Sequence, residues 1–298
     1  MVKNRHTSTR AIREIPFTAP VGTPAGVEVL SLGDLRRRVP TKHLSIPQRP
    51  NFHNLLNLTR GALQHTVDFA SYTLDPGSWL WVRPGQVNQW GDLTSADGTL
   101  ILFQQGFLSP DTIAIARLGD PHAPVLRRPS PTDAVPLNQT AEHLRTESQA
   151  LGHLPLQVHT ATLRHLLSIL VLRLSSLASP DKQSGAPFDP TYLRFRDAVE
   201  KNFTRTRRVE DYARILGYSP RTLARASLAA AGLGAKEFID RRVVLEAKRL
   251  LAHSDQTASA IADHLGFASP THFSKYFHQR TSQTPIAFRA AIRGHTDR

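Results

Sequence analysis

Two stretches of the chain carry the same order of apolar and polar positions. In residues 257–280, TASAIADHLGFASPTHFSKYFHQR, the apolar residues Ile261, Ala262 and Leu265 fall at helical spacing and stop at Gly266. Glycine takes φ > 0 without steric cost, so it suits the residue just past a helix end. Phe267 follows as an apolar anchor. Ser269-Pro270 then predicts a new helix, because Ser caps free backbone N–H groups and Pro in the first turn lacks an N–H that would have had no partner. Phe273, Tyr276 and Phe277 mark the buried face of that helix. Thr271, His272, Ser274, Lys275 and His278 mark its polar face. The same order appears earlier, in VEDYARILGYSPRTLARASLAAAG, where Leu216-Gly217-Tyr218 matches Leu265-Gly266-Phe267, Ser219-Pro220 matches Ser269-Pro270, and Leu223 matches Phe273. Between the two lies KEFIDRRVVLEAKRLLAHS, one long amphipathic helix. A short polar helix held on a hydrophobic turn is a helix-turn-helix, the shape that enters a DNA major groove.

The rest of the chain has other periods. Residues 1–15 are polar and basic and are expected to form a flexible arm. Residues 16–50 mix Pro, Gly and apolar positions, which predicts short strands and loops, with Arg36-Arg37-Arg38 as a solvated face. From Phe52 to Ile115 short apolar and β-branched segments alternate with turns such as Asp75-Pro76-Gly77 and Arg83-Pro84-Gly85, the pattern of a small barrel or sandwich. Alternation places Trp79 and Trp81 on one face and Leu80 and Val82 on the other. Residues 119–135 read as a Pro-rich connector. Two helices follow, the second carrying Leu163, Leu166, Leu167, Leu170, Val171, Leu174 and Leu177 in one stripe. That stripe suits packing against its own barrel or pairing with a twin helix. Residues 179–188 lack periodicity and read as a linker. Asp189-Pro190 then opens a new helix with Leu193, Phe195, Val199 and Phe203 inside, and Thr284-Pro285 opens the last one, packed by Ile286, Phe288 and Ile292.

Two helix-turn-helix units joined by a helix, with Lys248-Arg249-Leu250-Leu251, Ile261-Ala262, Leu265-Gly266-Phe267, Phe273, Phe277 and Thr284-Pro285, resemble the DNA-binding domain of the AraC/XylS family of bacterial transcription regulators. The resemblance covers about residues 189–293. LDPGSWLWVRPGQVNQW resembles the cupin barrel that serves this family as a sensor. The expected fold is therefore α+β and multidomain: a cupin-like β-barrel with a helical pair over 16–178 for effector binding and dimerisation, and an all-α double helix-turn-helix domain over 189–298.

Composition agrees with that division. The 298 residues allow two cores. The absence of cysteine excludes disulfides and thiolate metal sites and fits a reducing cytoplasm. No apolar run reaches the length of a membrane span, and the basic start, with no apolar stretch after it, does not read as a secretory signal. Net charge is +13, and residues from Asp181 onward carry 20 Lys+Arg against 12 Asp+Glu, a balance suited to phosphate binding.

A cupin can also be a metal enzyme. Such sites need about three nitrogen or carboxylate ligands. His53 has no His-x-His partner, His65 lies twelve positions on, and Asn88 stands where an imidazole would be needed. No metal, cofactor or catalytic residue is expected. If the Trp face is the barrel interior, Trp81, Arg83, Asn57 and His53 form the wall of an effector pocket. Leu163, Leu167, Leu170, Leu174 and Leu177 are the candidate dimer contacts. For DNA bases the candidates are Arg221, Thr222, Ala224 and Arg225 on the first reading helix and Thr271, His272, Ser274 and Lys275 on the second. Arg205, Arg207, Arg208, Ser219, Ser269 and Arg280 are assigned to phosphates. The expected protein is a cytoplasmic, homodimeric regulator, more often an activator in the resembled family, with promoter DNA, a small-molecule effector and RNA polymerase as partners. The rivals are a cupin enzyme with a DNA-binding tail and a non-specific architectural DNA binder.

Overall fold

The computed structural model describes residues 13–19, 24–120, 123–150, 152–177 and 189–294. Most of the expected arm and the whole expected linker, 179–188, lie outside these residues. The chain divides into two compact units at residues 184 and 185.

The first unit runs β1 (Arg13–Ile15), β2 (Val27–Ser31), α1 (Leu32–Arg38), α2 (Thr41–Leu44), β3 (Gln48–Pro50), β4 (His53–Arg60), β5 (Leu63–Val67), β6 (Ala70–Leu74), β7 (Trp79–Val82), β8 (Asn88–Trp90), β9 (Asp97–Phe103), α3 (Pro110–Ile115), β10 (Leu126–Arg127), α4 (Pro131–Gln149) and α5 (Leu156–Ser176). One five-stranded sheet has the order β1-β3-β8-β5-β6, the other β10-β7-β4-β9-β2. In the second sheet β4 is central, with Leu55 opposite Trp81 and Ile101, and Leu56 opposite Leu80 and Leu100. Because side chains alternate, that register sorts the sheet into two faces. Leu56, Leu58, Leu80, Val82 and Leu100 join Leu63, Val67, Leu74 and Trp90 of the other sheet in one core. Leu55, Trp79, Trp81, Ile101 and Phe103 join Leu137 and Leu144 of α4 and Leu163, Leu167, Leu170 and Leu174 of α5 in another.

This arrangement corrects several expectations. The Trp face points at the helical layer and away from the opposing sheet. Leu163, Leu167, Leu170 and Leu174 are almost wholly buried in their own protomer, and Leu177 packs partly against them, so the stripe holds the unit together and is not open to a twin helix. Helix α4 starts inside the supposed connector, because Ser130 accepts from the Asp133 N–H at 3.2 Å and Pro131 follows it. The connector also supplies β10, which pairs with β7. The Arg36-Arg37-Arg38 run lies on α1, and Arg36 Nη1 donates to the carbonyls of Leu93 and Ala96, both at 2.5 Å, so this cation is a loop clamp and not a solvated charge.

The second unit is all helical: α6 (Pro190–Asn202), α7 (Val209–Leu216), α8 (Pro220–Ala231), α9 (Ala235–His253), α10 (Ala258–His264), α11 (Pro270–Thr281) and α12 (Pro285–Gly294). Phe195, Tyr212, Leu223, Ile239, Val243, Ile261, Leu265, Phe273 and Phe277 are fully buried. Each buried aromatic or aliphatic side chain of this kind stabilises the fold by about 1.5–3 kcal/mol. Phe288 docks α12 on Phe277 with centroids 5.7 Å apart, whereas Ile286, expected inside, is 76% exposed.

Both helix-turn-helix turns use a glycine at positive φ, Gly217 at 71° and Gly266 at 70°. A Cβ at Gly217 would meet nothing within 4 Å, whereas one at Gly266 would lie 2.0 Å from the Thr204 carbonyl oxygen. Gly217→Ala should therefore cost only the left-handed penalty, about 1–2 kcal/mol, and Gly266→Ala several times that. Urea unfolding of both variants measures the difference, and equal costs would contradict the close approach.

Two buried histidines make the first unit acid-sensitive. His65 packs edge-on against Trp90 at 4.6 Å with neither ring nitrogen hydrogen-bonded, and burial lowers its pKa from 6.5 to about 3. Burial, with the nearby Arg83 charge, lowers His53 to about 3 as well. The folded state excludes protons that the unfolded chain takes up below pH 6.5, so this stability is present above pH 6.5 and declines as pH falls towards 3. Each histidine should account for about 1.5 kcal/mol of loss between pH 6.5 and 5. His65→Leu should remove about half of that loss in denaturant melts of the full chain.

Candidate nucleic-acid interface

The two turns are built alike. Gly217 and Gly266 each turn the chain after a short helix, and Tyr218 and Phe267 follow. Ser219 Oγ accepts from the Thr222 N–H at 3.0 Å and Ser269 Oγ from the His272 N–H at 3.2 Å, starting α8 and α11 with Pro in the first turn. Both serines, assigned to phosphates from sequence, thus cap their helices. Leu223 and Phe273 are fully buried beneath, so the opposite face of each helix is presented to solvent.

On α8, Arg221 and Arg225 are exposed one turn apart, with no hydrogen-bond or ion-pair partner among the described residues. Thr222 and Ala224 are half-buried, and the Thr222 hydroxyl lies 2.8 Å from Ser219 Oγ. On α11, Thr271, His272 and Lys275 are exposed and Ser274 is half-buried. These eight residues fall on two helix faces, four on each, as the sequence places them.

The arginines assigned to phosphates divide into two groups. Arg205 and Arg208 are exposed, Arg208 standing 3.7 Å from Glu210. Arg207 and Arg280 make contacts within the second unit. Arg207 donates to the carbonyls of Leu265 at 2.8 Å and Gly266 at 2.9 Å and lies 3.9 Å over the Phe267 ring. Arg280 donates to Asp240 Oδ2 at 2.7 Å and covers the Tyr276 ring at 3.7 Å. Asp240 Oδ1 also accepts from Tyr276 OH at 2.7 Å and from Lys236 Nζ. Burial, reinforced by the bond to this carboxylate, raises the Tyr276 pKa, so the phenol stays a donor. Asp240 escaped the sequence reading. Its signal was a carboxylate among the apolar positions Ile239, Val243 and Ala247 of α9.

The effector residues fare differently. His53 stacks on Phe103 at 4.6 Å and accepts from Trp81 Nε1 at 3.2 Å. Arg83, its pKa lowered by burial to about 10, donates to the Ala123 carbonyl at 3.2 Å and lies 4.8 Å from the Trp81 ring. All three are buried on the face of the sheet turned to α4 and α5. Asn57 lines a cleft of about 340 Å³ between β4, β9 and α4, where Thr59, Thr99, Asn138 and Glu142 join it. Asn57 Oδ1 is buried without a hydrogen-bond partner, and its Nδ2 lies 3.4 Å from Asn138 Oδ1. Among the described residues no three His, Cys, Asp or Glu side chains cluster as a metal site, and no helix is long and apolar enough to cross a membrane.

A family model for a helix-turn-helix domain matches residues 212–291, from α7 into α12. The chain is 25% identical over 248 residues to the HTH-type transcriptional activator RhaS of Enterobacter sp. (strain 638), covering 80% of this chain and 85% of that protein. It is 36% identical over 80 residues to the HTH-type transcriptional regulator RipA of Corynebacterium glutamicum, covering 27% of this chain and 24% of that protein. The crystal structure of the DNA-binding domain of AdpA, in complex with a target DNA, is 30% identical, covering 36% of this chain and 96% of that one with a TM-score of 0.33. With a helix-turn-helix domain over 212–291 and similarity to RhaS along most of its length, the chain is a DNA-binding transcription regulator of the AraC type.

Proposed function

We propose that this regulator reads a two-part promoter element in the cytoplasm, with α8 in one major groove and α11 in the next, and activates transcription in response to a small molecule held by its first unit. The observation that carries this reading is the repeat: two identically capped helices, each buried on one side and polar on the other, with Arg221 and Arg225 exposed on the first. A guanidinium binds guanine O6 and N7 together, whereas Thr271, His272, Ser274 and Lys275 are shorter or less directional groups. The first helix therefore carries the sharper base preference. Thr222 and Ala224 sit at the edge of that face, where Ala224 can touch a thymine methyl. Arg205 and Arg208 meet phosphates, with the helix N-termini beside them. Activation follows RhaS, named as an activator. Pairing of two copies and contact with RNA polymerase complete the proposal.

The cleft at Asn57 is the proposed effector site. Its volume falls within the usual range for small-molecule sites. Asn57 Oδ1 needs a donor, and Glu142 is already paired with Arg145 at 2.5 Å. That lining favours a small uncharged molecule with a hydroxyl or amide donor aimed at Asn57.

Selection of genomic fragments by the purified protein at physiological salt tests the DNA reading. A two-part motif with halves about one helical turn apart is expected, and enrichment that only follows DNA abundance would sink it. Arg225→Ala should lose about 1–3 kcal/mol of discrimination at one base pair. Arg205→Ala should weaken all sequences alike and reduce the salt slope by about one. Binding isotherms on matched and mismatched sites separate the two effects. A neutral compound that raises the melting temperature of the wild type should fail to do so with Asn57→Ala, and an undiminished shift would remove Asn57 from the site.

A further inference from the structure

We propose that Asp240 is a positioning residue that, together with Arg207, fixes the interval and relative angle of the two reading helices and so selects the spacing of the two half-sites. The inference rests on the DNA-reading function above and concerns what that function does not specify, namely how far apart the halves must be.

Chain connection alone leaves the second reading head adjustable. Helix α9 leaves the first head through Gly232 and Gly234, and a Cβ at either would meet nothing within 4 Å. Three side links remove that freedom. Asp240 lies near the start of α9, next to the first head, yet its carboxylate holds Tyr276 and Arg280 of α11 in the second. Those two residues are one turn apart on one helix face, so gripping both fixes the rotation of α11 about its own axis. Rotation decides whether Thr271, His272 and Lys275 face the groove. The second link is Arg207, from the segment before α7. Its two hydrogen bonds end on the turn between α10 and α11, and its guanidinium stacks on Phe267. Third, the Thr204 carbonyl lies so close to Gly266 that no side chain fits between them.

Asp240 is 8% exposed. It faces Arg280 and Lys236 directly, with Arg207 close enough to feel its charge. One buried carboxylate therefore gathers three cations from three elements. A charged hydrogen bond of this geometry is directional, which a purely apolar contact would not be.

The test uses the full chain and a set of synthetic duplexes carrying the two selected half-sites with one or two base pairs inserted or removed between them. Each inserted pair rotates one half by roughly 35°. The wild type should favour one spacing by about tenfold or more over its neighbours. Asp240→Asn and Arg207→Lys should keep the base preferences inside each half while flattening the spacing profile to about threefold or less. Asp240→Glu should restore a sharp profile. Arg207→Lys keeps its charge and supports the test should Asp240→Asn fold poorly, and thermal melts establish which variants are folded. Variants that melt earlier but keep the wild-type spacing profile would reduce both residues to structural supports and overturn the proposal. A wild type that selects no two-part site would instead overturn the DNA reading itself, before any variant is measured.

Discussion

The contact between Gly266 and the Thr204 carbonyl is the constraint around which the second unit is arranged. It can exist only where one residue has no side chain and the backbone tolerates positive φ. That closeness brings the Leu265 and Gly266 carbonyls within reach of Arg207, which in turn covers Phe267. Phe267 touches Phe273 and Tyr276, whose centroids lie 5.4 and 5.0 Å away. Tyr276 passes the constraint on to Asp240 and thus to α9. On the far side of α9, Arg242 pairs with Glu200 at 2.8 Å and lies 3.9 Å over Phe203, tying the same helix to α6. A turn glycine, two stacked guanidinium groups and two carboxylates thus join elements far apart in sequence.

The first unit depends on a different device. Its second sheet is buried on both faces, against strands on one side and helices on the other, so β4 has hardly a side chain free to face water before Thr59. A strand in that position must be apolar on both faces or must place its polar groups where something answers them. His53 and Asn57 are the polar residues turned towards the helices. Trp81 answers His53 Nδ1, and no side chain or backbone group among the described residues answers Asn57 Oδ1.

Local signals made the second unit readable from sequence. Ser-Pro caps, Leu-Gly-aromatic turns and helical spacing each act within a few residues, and each produced the element it implies. The polar faces of α8 and α11 followed from the same periodicity. What sequence could not give was the destination of a long side chain. Arg205, Arg207, Arg208 and Arg280 look alike in the chain, yet Arg207 and Arg280 bond to partners from distant segments that sequence spacing does not reveal. The barrel suffered for the same reason. Alternation put Trp79 and Trp81 on one face correctly, but which face meets helices and which meets strands is decided by how the second layer packs. Helix α4 was expected but its start was placed too late, although Ser130-Pro131 is the same cap that opened three other helices.

The cleft beside Asn57 has walls of unequal tolerance. Asn57 and Thr99 belong to paired strands whose neighbours form two cores, so a change there disturbs packing on both sides. Asn138 and Glu142 stand on the exposed face of α4, where substitutions cost little stability. A lineage could therefore recut the proposed effector site from the helix side alone, one surface residue at a time, while keeping the sheet intact.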